Sequence, residues 1–306
     1  MKKTLTVSLL TILITGCQTQ QVTSQPPVDV AAAMQAANMI IPVTRTFKKT
    51  DSVNLQLDLF TPDTQKQPAK LAIWVHGGAW MRGSKDEAMS KNGNLIRSLN
   101  EAGYAVAALN YRLSDEAPYP AALQDINDGI NYLVTHHKTL NIDTGEVLMM
   151  GRSAGAHLAS LLATANNDPA PFFNNKPAYQ VAGVVDFFGP VDLYALKGNS
   201  GKVNHDAPDA AEARFLGVSP RQNEALAKEA SATTYVDAQT PPFLIFHGTD
   251  DDVVPVSQSR LMADTLKQAG VPYSIELVKG ARHGDPIFDK DKYVNQVVQF
   301  ARQHLN

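Results

Sequence analysis

One Gly-x-Ser-x-Gly pattern occurs in the chain, Gly151-Arg152-Ser153-Ala154-Gly155. A serine hydroxyl is a weak nucleophile until a base takes its proton. On a sharp strand-to-helix turn between glycines it can stand clear of the backbone. The helix that follows then turns free N–H groups and a positive dipole end toward it. The surroundings suit such a turn, because an apolar run at 146–150 precedes it and a small, apolar stretch at 156–165 follows. The plainer alternative is a serine that only caps a helix. A nucleophilic serine also needs an imidazole, and the imidazole needs a carboxylate to orient it. His283 stands on a glycine-flanked loop, Gly280-Ala281-Arg282-His283-Gly284, after an apolar run at 274–278. Three consecutive acids, Asp250, Asp251 and Asp252, follow the run at 243–247, and Asp186 ends another run. Residue types alone leave the choice of acid open among these four. A further run leads into His76-Gly77-Gly78-Ala79-Trp80, where glycine permits close approach of backbone to a ligand. His76 is read as fixing that loop through hydrogen bonds, and Trp80 as a packing anchor.

These residues need a scaffold that brings distant loops together. Strand candidates lie at 53–60, 71–76, 105–111, 146–150, 182–187, 243–247 and 274–278, and most are short and apolar throughout, the composition of strands covered on both faces. Helical patterns lie between them. Leu123, Ile126, Ile130 and Leu133 form one apolar stripe, and 260–269 and 293–304 are amphipathic. The alternation predicts an α/β fold with a doubly wound, mostly parallel sheet, whose ligand site lies at the carboxyl ends of the strands. The segment 191–235 breaks the rhythm and is expected to be a partly helical insertion. It either walls the site or packs on the flank.

The set HGGAW, NYRL, PYPAALQDI, GRSAGAHLA, GPVDL, PPFLIFHGTDDDVVPV and GARHG resembles the HGGxW/HGGG serine esterases of the α/β-hydrolase superfamily. It is most similar to their bacterial feruloyl/acetyl-xylan esterase-like branch, near the hormone-sensitive-lipase-like esterases and kynurenine formamidases. The resemblance implies the α/β-hydrolase fold without a large cap domain. It implies Ser153, Asp251 and His283 as the catalytic triad, in the family's chain order. Asp251 is chosen because related esterases run His-Gly-x-x-Asp-x-x-Val-Pro here; Asp250 and Asp252 are then loop acids. It implies an oxyanion hole of the N–H groups of Gly78, Ala79 and Ala154, with His76, Gly77 and Trp80 supporting the motif. Arg112 and Asp125 match a structural ion pair of the relatives. Relatives mostly carry a small residue before the histidine, where this chain has Arg282. His157, one turn beyond Ser153, is expected to be a hydrogen-bonded core residue.

Composition narrows the rest. The 306 residues are 44% hydrophobic and 19% charged, with 18 Pro and 19 Gly, which excludes a disordered or collagen-like chain. The net charge of −3 offers no basic excess for nucleic acid. No cluster of metal-ligand spacing and no phosphate-binding glycine loop occurs, so no metal and no cofactor is expected. The single cysteine, Cys17, cannot close an intramolecular disulfide. It follows Lys2, Lys3 and an apolar run at 5–14 that is shorter than the roughly 20 residues of a membrane span. Leu13-Ile14-Thr15-Gly16-Cys17 resembles the lipobox of bacterial lipoproteins. That resemblance implies a signal peptide at 1–16, a lipidated tether at 17–39 and a catalytic domain at 40–306. Gln18 after the cysteine favours the outer membrane of a Gram-negative envelope. An ordinary cleaved signal is the alternative.

The expectation is therefore a lipid-anchored serine ester hydrolase acting on a small ester, of short-acyl or of carbohydrate or aromatic type. An amide hydrolase such as an arylformamidase or prolyl-peptidase-like enzyme is the alternative, and a silent binding protein a remote one. Substrate identity and oligomeric state are not written in the sequence.

Overall fold

The computed structural model describes residues 40–62, 67–166 and 170–305. Cys17, the signal segment and the tether lie outside the described residues. Eight strands form one sheet: β1 (Val43–Lys49), β2 (Asn54–Phe60), β3 (Ala69–Val75), β4 (Ala105–Leu109), β5 (Ile142–Arg152), β6 (Gln180–Phe187), β7 (Phe243–Gly248) and β8 (Tyr273–Val278). Their order across the sheet is β1-β2-β4-β3-β5-β6-β7-β8. β2 runs antiparallel to both β1 and β4, and every other pairing is parallel.

The helices fill the crossovers. α1 (Glu87–Glu101) follows β3, α2 (Ala121–Leu140) follows β4, and α3 (Ala154–Thr164) follows β5. Two short helices, α4 (Ala211–Leu216) and α5 (Glu224–Glu229), lie between β6 and β7, α6 (Ser257–Ala269) between β7 and β8, and α7 (Asp291–His304) after β8. The strand period of two sorts side chains onto two cores. On β3, Leu71, Ile73 and Val75 join one face with α2, α3 and α6, while Ala72 and Trp74 join the other with α1 and α7. Leu71, Ile73 and Val75 are fully buried, and each such side chain contributes about 1.5–3 kcal/mol. The doubly wound, mostly parallel sheet is thus present.

Three elements differ from their sequence reading. β1, VTRTFKK, has no apolar run because it is an exposed edge strand, bulged between Thr46 and Lys48. α1 was hidden by a kink, where Asn92 leaves helical geometry at φ −136°. β5 continues past Met150 to Arg152, because Arg152 still pairs with Phe187 of β6. The insertion at 191–235 packs on the flank: Phe215 of α4 stacks on Trp80 at 4.9 Å, and the Ala230 carbonyl accepts from His157 at 2.7 Å. Among the described residues no helix is long and apolar enough to cross a membrane.

Candidate active site

Ser153 occupies the single residue between β5 and α3, at φ 53° and ψ −124°. A non-glycine residue held there stores roughly 1–3 kcal/mol of strain. The strain is held by pairing on both sides. Ser153 N–H donates to Phe187 O at 2.9 Å, and His157 N–H donates to Ser153 O at 3.0 Å to start α3. The flanking glycines are required by space. A Cβ on Gly155 would lie 2.2 Å from Val75 O and 2.4 Å from His76 O, and one on Gly151 would lie 2.4 Å from the Gly155 carbonyl carbon. The turn is therefore pressed directly against the end of β3 and the loop that leaves it.

The loop after β8 brings His283 over this serine. His283 Nε2 lies 2.8 Å from Ser153 Oγ, and Nδ1 lies 2.7 Å from Asp251 Oδ2. An ionised carboxylate only accepts, so Nδ1 carries the proton and Nε2 is left to accept from the serine hydroxyl. The edge of Phe188, 4.9 Å between centroids, holds the imidazole from the side. The Asp251 side chain is fully buried and meets four donors. Oδ1 accepts the N–H groups of Val253 and Val254, both at 2.9 Å. Oδ2 faces His283 and, at 3.3 Å, His247 Nε2. Burial works against its charge, but the hydrogen bonds from His247 and His283 prevail and hold the carboxyl well below the usual carboxylate range. A hydroxyl, imidazole and carboxylate so aligned can pass the hydroxyl proton to Nε2 as the oxygen attacks.

The other acids do not reach His283. Asp250 is exposed and accepts from Thr249 Oγ1. Asp252 pairs with Lys202 at 3.0 Å and with the exposed Arg282 at 3.7 Å. Asp186 is buried, bonded to Gly189 N–H and Ser160 Oγ, and burial pushes its carboxyl up.

The loop after β3 faces the serine. A Cβ on Gly77 would lie 2.8 Å from Arg152 O and 3.4 Å from Ser153 Cβ, and one on Gly78, at φ +117°, would lie 2.0 Å from Arg82 O. Ala79 and Trp80 also take positive φ, 56° and 58°. Such strain collects where structure over-determines a loop. His76 Nδ1 donates to Gly77 O at 2.8 Å, and its ring stacks on Tyr111, whose hydroxyl donates to His76 O. Burial pulls the His76 imidazole down. Trp80 is buried and donates from Nε1 to His157 Nδ1 at 3.2 Å, while Ser114 N–H donates to Trp80 O at 2.8 Å. The N–H groups of Gly78, Ala79 and Ala154 have no protein acceptor among the described residues. Gly78 and Ala79 line the same cavity as Ser153, and Ala154 follows that serine at the start of α3.

Arg112 and Asp125 form a bidentate pair, at 2.7 and 2.9 Å, and Lys48 joins it at 2.7 Å. Lys48 and His247 are contacts that sequence reasoning missed. His247 was visible in the FLIFHG run, but its partners, Val254 O, Ser259 Oγ and Asp251, meet it only through the turn after β7. Ser153, His283 and the loop after β3 line one cavity of about 560 Å³. Residues 191–235 contribute nothing to that lining.

A mostly parallel sheet with the strained serine after β5, the histidine after β8 and an acid after β7 defines the α/β-hydrolase class. The BD-FAE family matches residues 57–266, and the chain belongs to it. Among solved structures, a truncated carbohydrate esterase from gut microbiota is 29% identical, with a TM-score of 0.75 over 85% of this chain and 95% of that one. A probable isoprenylcysteine alpha-carbonyl methylesterase of Oryza sativa subsp. japonica is 28% identical over 81% of this chain and 61% of its own. A probable carboxylic ester hydrolase of Mycobacterium tuberculosis is 29% identical over 77% and 56%. The chain thus spans less than two thirds of the length of these curated relatives.

Proposed function

We propose that the chain is a serine ester hydrolase working through an acyl-enzyme. The observation that carries this reading is the hydrogen-bonded line Ser153–His283–Asp251 beside unpaired backbone N–H groups. Ser153 Oγ attacks the ester carbonyl while His283 Nε2 takes its proton. The tetrahedral oxyanion accepts from the N–H groups of Gly78, Ala79 and Ala154. The C–O bond to the alcohol then breaks, and His283 returns the proton to the departing oxygen. Water, deprotonated by the same imidazole, attacks the acyl-enzyme and releases the acid and free Ser153. Asp251 keeps the imidazole in the tautomer that this needs. Each N–H donor to the oxyanion contributes about 2.7–4 kcal/mol to the transition state. Relatives named as a carboxylic ester hydrolase and a carbohydrate esterase support an ester as substrate, and the proposal takes it to be of short-acyl, carbohydrate or aromatic type.

The test is Ser153→Ala in the full chain. Turnover of a chromogenic short-acyl ester and labelling by a fluorophosphonate should both vanish while the fold is kept. Activity at the wild-type level would overturn the assignment. The sequence around Cys17 supports a second element of the proposal, lipid anchoring to the envelope, in the outer membrane. Radiolabelled palmitate should enter the wild type and not Cys17→Ser, and no incorporation in the wild type would remove the anchor.

A further inference from the structure

The residue before the nucleophilic serine is an arginine with no counter-ion in contact among the described residues. Arg152 ends β5, and its side chain lies among aromatic rings. Its guanidinium carbon is 5.2 Å from the Phe187 ring centre and 6.0 Å from those of Trp74 and Phe188. Its Nε and Nη2 are buried and bonded to nothing among the described residues. Ring faces return part of what a cation loses on leaving water, but they do not satisfy N–H donors.

Among the described residues no carboxylate is in contact with Arg152. Asp289 acts on it from a distance, and its own oxygens are taken by the backbone N–H groups of Asn94 and Leu95. Glu87, the one acid in the cavity lining, is paired with Lys91 at 2.8 Å. Burial pulls the guanidinium down to about 10, with the Asp289 charge opposing, so it stays cationic at neutral pH. The lining holds three cations, Arg82, Lys91 and Arg152, against the single carboxylate of Glu87, in a chain whose net charge is −3. The cavity that contains Ser153 is thus locally cationic in an acidic protein. Two further polar atoms of its lining residues, Trp74 Nε1 and Asn92 Oδ1, are also buried without partners among the described residues.

A planar guanidinium with two idle donors matches a carboxylate, which it can hold through two parallel bonds. Trp74 Nε1 adds a donor of the same kind, and Asn92 Oδ1 suits a hydroxyl. We infer that this cavity takes esters that carry a carboxylate, with Arg152 as the residue that selects it. The inference rests on the ester hydrolase reading and names the substrate class of that site. The carboxylate can belong to the acyl part or to the alcohol, and the two are separable by experiment.

The full chain is assayed at low ionic strength with matched ester pairs. On the acyl side, 4-nitrophenyl hemisuccinate, hemiglutarate and hemiadipate are set against the butyrate, pentanoate and hexanoate. On the alcohol side, 4-carboxyphenyl acetate is set against 4-carbamoylphenyl acetate. In one arm the anionic member should be favoured in kcat/KM by about tenfold or more, chiefly through KM, as a charge-assisted hydrogen bond allows. Arg152→Gln should reduce that ratio by about tenfold, to near unity. Should this variant not fold, the wild-type ratio still decides, because added salt should compress it by screening. Hydrolysis of the neutral esters without preference for an anion in either arm overturns the inference and leaves the ester hydrolase reading standing. No hydrolysis of any ester, with no fluorophosphonate labelling, overturns both.

Discussion

His247 Nε2 lies 3.3 Å from Asp251 Oδ2, the same oxygen that His283 Nδ1 meets at 2.7 Å. One carboxylate oxygen therefore serves two imidazoles. His247 also donates to Val254 O at 2.9 Å and is held on Nδ1 by Ser259 Oγ at 2.6 Å. It fixes the carboxylate from behind while never touching Ser153. His247→Asn should lower kcat by about tenfold with KM unchanged, through loss of the Nε2–H that Val254 O and the charged carboxylate share. Steady-state kinetics on a short-acyl ester check this. An unchanged kcat in a folded variant would reduce His247 to packing.

Gly155 gives a steric prediction. Its missing Cβ would sit 2.2 Å from Val75 O and 2.4 Å from His76 O, both backbone atoms that carry the loop facing Ser153. Neither can yield as a flexible side chain would. Gly155→Ala must push the serine turn and that loop apart, and a displacement near 1 Å at a reacting centre costs about 100-fold. The expected outcome is a kcat/KM lower by about that factor, together with a loss of about 1–3 kcal/mol in urea unfolding. A variant with wild-type kinetics would show that the loop is looser than its contacts imply.

How much of this was legible in the chain follows from where each residue finds its partners. β3 from Leu71 onward and β4 could be read because both faces are covered there, so those positions are all apolar. β1 could not, since an edge strand needs no apolar face. The serine and histidine loops are local patterns with glycines at fixed offsets. The acid was ambiguous by residue type, and only a family resemblance favoured Asp251 over its neighbours. The unpaired guanidinium of Arg152 was invisible, because it is defined by the rings of Trp74 on β3 and of Phe187 and Phe188 at the end of β6, and by the lack of a partner among the described residues. Although His247 stands close to Asp251 in the chain, only the turn after β7 brings its ring onto that carboxylate. Glycine spacing was legible, but its cause, the approach of β3's end to the serine turn, is a tertiary contact between segments distant in the chain.

Asp125 carries a prediction about stability. Its side chain is fully buried and accepts Arg112 Nε, Nη2 and backbone N–H, and Lys48 Nζ. Arg112 and Lys48 are only 21% and 24% exposed, so neither can recover full hydration if the carboxylate is lost. Asp125→Asn should cost about 3 kcal/mol, in the range for breaking a buried ion pair. Urea unfolding monitored by tryptophan fluorescence measures it. A cost below about 1 kcal/mol would place these charges with ordinary surface pairs.

His157 links stability to pH. It is fully buried, donates from Nε2 to Ala230 O at 2.7 Å and accepts on Nδ1 from Trp80 Nε1 at 3.2 Å. A second proton would go to Nδ1 and face another donor. Burial pulls its pKa down to about 4, only partly offset by the Ala230 carbonyl. The folded value thus lies below the ordinary 6.5, and the unfolded chain takes the proton first. This ring costs nothing above that pH, weakens the fold as pH falls from 6.5 to about 4, and adds no further loss below. The span corresponds to roughly 3 kcal/mol. Buried His76, also pulled down, acts in the same direction, while Asp186, pushed up, acts in the opposite one. The contrast must therefore be made with His157→Gln, which keeps one donor and one acceptor but cannot take a proton. Urea unfolding at pH 7 and near pH 4 should show a smaller loss in the variant than in the wild type. Equal losses would mean that the ring stays neutral through that window or that its shell opens to water.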